Sequence, residues 1–308
     1  MPRQPPSPTP KSRGVLALAI TVFFWASAFA VIKSAVQEYG PGELATLRFT
    51  IAATALGIAA LVKGVRRPRG SEICWFMATG FTGFSLYHPF LNYGEKKITA
   101  GTAALLINSA PVWTAILAAL VLHEKVTFRK FLGISISFAG IALLVFGQSG
   151  RISLEPAALV VLTSAVCAAF YVTIQKKFLA RFNALEFTFW SVFAGMLQLW
   201  PFFGISTVQT VARAPMQPTL EIVYLGIFPA AIAYMAFAYA TVRMPASRVM
   251  TVMYITPPIT MLMACAYPAQ REWPTLLSVV GGVMAIAGVA VVNTARKEVV
   301  PVKAIEEG

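Results

Sequence analysis

The sequence predicts an all-α integral membrane protein: ten transmembrane helices, arranged as two five-helix inverted repeats around a central cavity. Three observations carry this prediction: apolar runs of membrane length, an apolar composition and an internal duplication. Of the 308 residues, 57% are hydrophobic and 12% are charged, whereas a soluble domain carries about 25% charge. The twelve acidic residues are all glutamate, and with the 25 Lys and Arg residues they separate the apolar runs.

Ten apolar segments, numbered 1 to 10 here, lie between these charges. They are residues 14–32, 43–63, 73–94, 98–122, 131–150, 156–175, 187–212, 222–242, 249–270 and 273–295. About 20 apolar residues in a helix cross the hydrocarbon core, and a helix satisfies its own backbone hydrogen bonds there. Each segment is therefore predicted to be a transmembrane helix. Segment 2 alone has a charge in its interior, Arg48.

The basic residues predict the orientation of the chain. With the N-terminus in the cytoplasm, 18 Lys and Arg residues fall inside and six fall outside, which is the bias expected of cytoplasmic loops. Both termini are thus predicted to be cytoplasmic, with residues 1–13 a disordered Pro-rich tail and residues 295–308 a second tail. The excess of basic residues behind the net charge of +13 then faces the cytoplasmic leaflet of the lipid bilayer, so no nucleic-acid partner is expected.

The chain also contains an internal duplication. Landmark residues recur in unbroken order at offsets of 143 to 148 residues, as Pro111 does at Pro257. The two halves are residues 14–147 and 156–294. Since each half holds five predicted spans, the second copy must lie upside down in the membrane. Inverted repeats are the recurring architecture of secondary transporters, with the substrate site near the bilayer midplane, so the duplication predicts a transporter.

Polar and aromatic residues inside the apolar segments are the candidates for solute binding, because such polar groups usually face a cavity or another helix. The candidates are Tyr87, His88, Asn92, Asn108, Trp113, Tyr171, Gln175, Tyr234 and Tyr239. His88 is either a substrate or proton contact, or a histidine bonded to a neighbouring helix. Asn108 likewise binds substrate or joins two helices. As a set, the aromatic candidates suit a solute with an apolar side chain.

A second group of residues is predicted to have structural or gating roles. These are Arg48, Pro111, Glu124, Pro257 and Glu272. A charge at the membrane centre costs about 2.5–3.5 kcal/mol on insertion scales, but Arg48 lies near the outer end of segment 2, where it can snorkel. We predict an anchor paired with Glu43 or Glu38; the alternative is a site for a substrate carboxylate. Glu124 and Glu272, at matching ends of segments 4 and 9, are predicted to be caps or gates.

Several classes of function lack their sequence signatures. The segments hold no Asp or Glu away from their ends, which removes the usual sites of proton or sodium coupling, and there is no P-loop. We expect passive, concentration-driven transport by alternating access, with proton coupling through His88 as the alternative.

No metal-type cysteine pair or nucleophile–base set appears, so no metal, cofactor or enzymatic activity is expected. A channel would need a polar or charged pore ring, and no obligate protein partner is implied.

Residues 109–144 read SAPVWTAILAALVLHEKVTFRKFLGISISFAGIALL, a Pro-containing helix that ends at a Glu and is followed by a Gly-containing helix. With FFWASAFAVIK in segment 1 and ATLRF in segment 2, this stretch resembles the EamA type of the drug/metabolite transporter superfamily. The resemblance covers nearly the whole chain. Within the superfamily, the chain is similar in particular to the YddG-like bacterial exporters of aromatic and other amino acids.

The resemblance implies a multi-pass protein of the bacterial inner (plasma) membrane that exports amino acids or related metabolites. It also implies ten helices, cytoplasmic termini and a cavity lined by segments 1, 3, 4, 6, 8 and 9. Segment 9 departs from the pattern, since TPPITMLMACAYPAQRE has two extra residues and an added Pro268.

Overall fold

The computed structural model describes residues 11–121, 128–146, 155–243, 255–266 and 275–294. Every regular element in these stretches is helical. Five helices there are long and apolar enough to cross a membrane by length and composition: Arg13–Ala35, Pro41–Lys63, Pro156–Gln175, Ala184–Val211 and Met216–Arg243. The chain is thus an all-helical protein of membrane type, and the count of ten spans stays a prediction.

Segments 1, 2, 5, 6, 7, 9 and 10 each form one helix within the described stretches. These helices are Lys11–Ala35, Pro41–Lys63, Phe128–Phe146, Pro156–Phe178, Ala184–Val211, Thr256–Ala266 and Leu276–Thr294. Their starts follow the usual rules for helix termini. Pro41 and Pro156 each occupy the first turn of a helix, where the missing N–H costs no hydrogen bond, and the Asn183 side chain accepts a hydrogen bond from the Glu186 backbone N–H at 2.9 Å.

Segments 3 and 8 change helix type in the middle. Segment 3 comprises Ser71–Gly80, the π-helical Phe81–Ser85 and Tyr87–Glu95; segment 8 comprises Met216–Leu225, the π-helical Gly226–Ile232 and Ala233–Arg243. Pro229 lies within the second π-helix and cannot donate a backbone hydrogen bond. The two π-helices occupy matching places in the duplication, and such stretches often mark functional sites.

Segment 4 is broken into two shorter helices. They are Ala100–Ile107 and Ala110–Val121. Pro111 in the first turn of the second helix supplies no backbone donor. Two side chains compensate at the break, because Asn108 Nδ2 donates to the Ala104 carbonyl at 2.8 Å and Ser109 Oγ donates to the Leu106 carbonyl at 2.6 Å. The break leaves Asn108 at an irregular point in the middle of the segment.

The contacts between segments in one half have counterparts in the other half. Segment 1 packs on segment 8 as segment 6 packs on segment 3, while segment 2 packs on segment 7 and segment 5 on segment 10. This is the pattern that two structurally related halves produce. At the crossing of segments 5 and 10, a Cβ atom on Gly140 would lie 2.5 Å from the Gly281 carbonyl oxygen, and one on Gly288 would lie 2.5 Å from that of Gly133.

Candidate solute cavity

A cavity of about 140 Å³ lies at the centre of the helices. Its walls come from segments 1, 3, 4, 6, 8 and 9, as the resemblance implies, and also from segment 2 through Arg48. The volume is many times the roughly 10–15 Å³ that one water needs. Most of the lining is apolar or aromatic, with a few polar groups, so the cavity suits a small amphipathic solute.

Arg48 is the charged group of this cavity. Its side chain is 2% exposed, and its guanidinium lies 5.5 Å from the centre of the Phe49 ring. Among the described residues, no carboxylate lies within salt-bridge distance of it, and Nε has no hydrogen-bond partner. A buried charge without a paired counterion is costly, so an anion in the cavity would stabilise this arrangement.

His88 connects Arg48 to the opposite wall. The histidine is 3% exposed, with Nδ1 3.4 Å from Arg48 Nη1 and Nε2 3.3 Å from the Tyr234 hydroxyl oxygen. A guanidinium only donates, so Nδ1 accepts and the ring proton sits on Nε2, which donates to Tyr234. A protonated ring would lose this acceptor and place a second positive charge beside Arg48, which disfavours His88 as a proton carrier.

Aromatic rings form the remaining wall around Tyr234. Trp25 packs against Tyr234 with ring centres 5.2 Å apart, and Tyr171 does so at 6.0 Å. Trp25 Nε1 donates to the Pro229 carbonyl at 3.3 Å, which is one of the carbonyls in the second π-helix. Gly83, in the first π-helix, lies so close to the Tyr171 ring that a Cβ atom there would collide with it. Both π-helices thus position cavity side chains.

The structure brings five of the nine candidate solute-binding residues to the cavity and places four elsewhere. The five are Tyr87, His88, Asn108, Tyr171 and Tyr234, and Pro111 lines the cavity as well. Asn92 is fully buried, and its Nδ2 donates to the Pro41 carbonyl at 2.9 Å, which joins segment 3 to segment 2. Trp113 packs edge-on against Phe138 of segment 5, with ring centres 5.2 Å apart.

The other two candidates lie nearer the ends of their segments. Gln175 is fully buried, and its side-chain nitrogen and oxygen lack partners among the residues described. The Arg243 guanidinium carbon lies over the Tyr239 ring, 3.6 Å from the ring centre. Neither belongs to the cavity lining.

The predicted pairing of Arg48 with Glu43 or Glu38 does not occur in the structure. Glu43 accepts hydrogen bonds from the Gly40 backbone N–H at 3.0 Å and from Thr210 Oγ1 at 2.8 Å, and Glu38 is exposed. The side chain of Arg48 turns inward rather than toward the outer surface. The prediction failed because it took Arg48 to snorkel toward the outer end of segment 2, whereas segment 2 contributes this side chain to the cavity.

The remaining structural candidates are distributed differently. Pro257 is buried in the first turn of the helix Thr256–Ala266, next to Thr256, which lines the cavity. Glu124 and Glu272 lie outside the described residues.

Sequence reasoning missed several lining residues, among them Trp25, Thr114, Phe237 and Thr256. Helical spacing could have indicated one of them, because Phe237 follows Tyr234 by three residues and so shares its face. The others carry no sequence signal that separates a cavity face from a packed face.

Glu95 bears on the expectation about coupling. It lies at the end of segment 3, so it agrees with the expectation that the segments hold no Asp or Glu away from their ends. It is nevertheless 0% exposed, so this carboxylate at a segment end is buried inside the protein.

Comparison with known proteins identifies the family of the chain. The EamA-like transporter family matches it twice, over residues 12–146 and 155–294. The chain is 37% identical, over 92% of its length and 94% of the relative's, to a probable terminal-alkyne amino-acid exporter of Streptantibioticus cattleyicolor. It is 33% identical to the uncharacterized transporter YdfC of Bacillus subtilis, over 89% of each chain.

A solved crystal structure has the same fold, with a TM-score of 0.60 and 22% identity over 92% of this chain and 96% of the other. The family match covers both halves of the chain, and these relatives are named as transporters and not as enzymes. The chain belongs to the EamA-like transporter family of the drug/metabolite transporter superfamily.

Proposed function

We propose that this protein exports amino acids with apolar side chains across the bacterial inner membrane by alternating access. The observation that carries the proposal is Arg48, a buried cation in the wall of a central cavity with no carboxylate of the described chain in salt-bridge distance. The solute would supply the missing anion.

The chemistry of Arg48 supports a carboxylate as the recognised group. Arginine presents a planar fork of donors that matches a carboxylate in two parallel hydrogen bonds. His88 accepts from Nη1, so it orients the guanidinium while Nε stays without a partner. Asn108, on the segment 4 break, is a further polar group in the lining that can bond the polar end of an amino acid.

The aromatic wall supports an apolar side chain as the other end of the solute. Trp25, Phe29, Tyr171 and Phe237 line the cavity opposite few polar groups, so burial of an apolar side chain there gains about 25 cal/mol per Å². The relative from Streptantibioticus cattleyicolor is named as an exporter of an amino acid with a terminal alkyne, which is an apolar group. That name supports the same class of solute here.

The exchanged contacts between the two halves support alternating access. Inverted halves give two equivalent arrangements, one open to each face of the membrane. The paired π-helices in segments 3 and 8 offer matching flexible points next to the cavity. The distribution of Lys and Arg supports cytoplasmic termini, and bacterial relatives support the inner membrane as the location.

Solute counterflow in proteoliposomes tests the proposal. Vesicles loaded with one unlabelled amino acid at a time are diluted into its labelled form, and the same amino acids are compared with their carboxamide analogues. We expect uptake of apolar amino acids but not of their carboxamides. In Arg48→Gln, uptake of the amino acid should fall at least tenfold, because a hydrogen bond to a charged group contributes about 1.5–3 kcal/mol.

The matched control is Arg213→Gln, which removes an exposed arginine at the far end of the helix Ala184–Val211 and should leave uptake unchanged. Equal uptake of amino acid and carboxamide, or an unaffected Arg48→Gln variant that elutes as folded protein, would contradict carboxylate recognition by Arg48. Failure of every amino acid in the panel would contradict the solute class.

A further inference from the structure

Glu95 is a buried carboxylate that the proposed binding mechanism does not use. It ends segment 3 and is 0% exposed, and neither Oε1 nor Oε2 has a hydrogen-bond partner among the described residues. An ionised carboxylate away from water is tolerated when it is paired or hydrogen-bonded, and otherwise it is neutralised by a proton. The Glu95 carboxyl group therefore needs either a bound proton or a neighbouring cation to neutralise it.

Other glutamates at helix ends are satisfied by local hydrogen bonds. Glu186 accepts from the Asn183 and Arg66 backbone N–H groups, and Glu72 accepts from Arg66 and Arg69. These are caps and surface contacts, in which the carboxylate accepts charge-assisted hydrogen bonds. Glu95 lacks such donors, so a capping role does not explain it.

The charged groups that face Glu95 come from two other segments. Lys33 of segment 1 and Arg48 of segment 2 act on it electrostatically, and Tyr87 on its own segment is close enough to feel its charge. The adjoining helix Ala100–Ile107 and the π-helix Phe81–Ser85 contain no titratable residue. Segment 6, which also packs on this part of segment 3, carries Cys167 and Tyr171 as its titratable residues.

Lys33 is positioned to respond to Glu95. Its Nζ donates to the Ile98 carbonyl at 3.0 Å, three residues beyond Glu95, so the lysine reaches from segment 1 to the start of segment 4. An ionised Glu95 would draw the ammonium toward its carboxylate, and a protonated Glu95 would leave it on the carbonyl.

Both residues lie one helical turn beyond the cavity. Lys33 follows Phe29 by four residues, and Glu95 follows Leu91 by four; Phe29 and Leu91 line the cavity. Residues four apart share a helix face, so the pair sits where segments 1 and 3 leave the cavity toward the predicted outer side. A change of attraction between them acts directly on the separation of those two segments.

We propose that Glu95 is the proton-binding residue of the transport cycle, with Lys33 as its ion-pair partner. Ionised Glu95 holds Lys33 and draws the outer ends of segments 1 and 3 together; protonated Glu95 releases Lys33 and lets them part. Glu95 takes up its proton from the outer side and releases it to the cytoplasm once per exported solute, so that the proton gradient drives solute export. This coupling deepens the proposed function and rests on it.

The first test needs no solute. Infrared difference spectra of the full-length protein in lipid are recorded as the pH is raised from about 5 to about 9. We expect a protonated-carboxyl band that disappears over this range, is missing in Glu95→Gln and persists in the control Glu221→Gln. Glu221 is 9% exposed and accepts hydrogen bonds from Ser34 and Gln217. The absence of a titrating band, or a band that survives in Glu95→Gln, overturns the proposal.

The second test measures coupling in proteoliposomes, with the labelled amino acid that gives the strongest counterflow. At one proton per solute, a gradient of one pH unit sustains about a tenfold solute ratio. We expect this ratio in the unmodified protein and in Glu221→Gln. In Glu95→Gln the ratio should fall to one while counterflow persists.

Counterflow without any gradient-driven ratio in the unmodified protein overturns coupling and leaves the proposed function intact. If no amino acid shows counterflow, the proposed function fails, and the infrared titration still decides the role of Glu95.

Discussion

At the scale of single residues, the position of Arg48 shows where a sequence pattern stops being informative. Hydropathy marks it as the one charge inside segment 2, and burial costs predict that such a charge is paired or functional. Which of the two applies depends on the side of the helix that it occupies. The structure turns it toward His88 at 3.4 Å, and away from Glu43.

Asn92 shows the same limit in the opposite direction. It became a candidate for the cavity because it is a polar residue inside an apolar segment. It also follows His88 by four residues, so helical spacing places both on one face. The cavity ends at Leu91 on this helix, and Asn92 reaches the start of segment 2 instead. The sequence could predict that both side chains point inward. It could not predict that His88 would face the cavity while Asn92 would face a packed helix.

The Asn92→Ala variant should therefore lose stability and not solute recognition. Removal of its hydrogen bond to the Pro41 carbonyl should cost about 0.5–1.5 kcal/mol. We expect a lower thermal unfolding temperature in detergent and an unchanged KM in counterflow. A raised KM at an unchanged unfolding temperature would place Asn92 in the binding site instead.

At the scale of helices, the charges of the sequence located the elements well. Segment 6 begins at the predicted Pro156, and segments 2 and 7 form single helices over nearly their predicted lengths. The internal changes of geometry were less accessible. Pro229 and Pro111 mark the second π-helix and the break in segment 4, whereas the first π-helix contains no proline and arises where segment 3 packs on segment 7.

The crossing of segments 5 and 10 depends on glycine at the point of contact. A Cβ atom on Gly140 would overlap the backbone of segment 10 around Gly281 and Ala285, and overpacking typically costs about 1–3 kcal/mol. We expect Gly140→Ala to lower the thermal unfolding temperature, because neither backbone can move away without separating the two helices.

Gly57→Ala is the matched control for this prediction. A Cβ atom there would lie 3.5 Å from the Phe189 ring, an ordinary contact, and alanine favours a helix over glycine by up to about 1 kcal/mol. The variant should unfold at the same temperature as the unmodified protein or a higher one. Equal behaviour of the two variants would show that the close approach at Gly140 is not required.

At the scale of the whole molecule, the two predicted halves make corresponding contacts and share the lining of one cavity. Exchange of the halves maps the contact of segments 1 and 8 onto that of segments 6 and 3, and the cavity receives residues from both. This correspondence agrees with the duplication in the sequence, and the inverted-repeat arrangement stays a prediction. The duplication could not show that segment 2 contributes to the cavity wall. That contribution depends on the direction in which one side chain, Arg48, points.

Labelling of a cysteine placed in the cavity tests alternating access most directly. Thr114 lines the cavity, so Thr114→Cys is made in a chain whose own Cys74, Cys167 and Cys265 are replaced by serine. A membrane-impermeant maleimide is then added to one face of oriented vesicles at a time, with and without solute. We expect solute to lower the labelling rate from one face while it raises the rate from the other. Simultaneous, solute-independent labelling from both faces would show a continuous pore and contradict transport by alternating access.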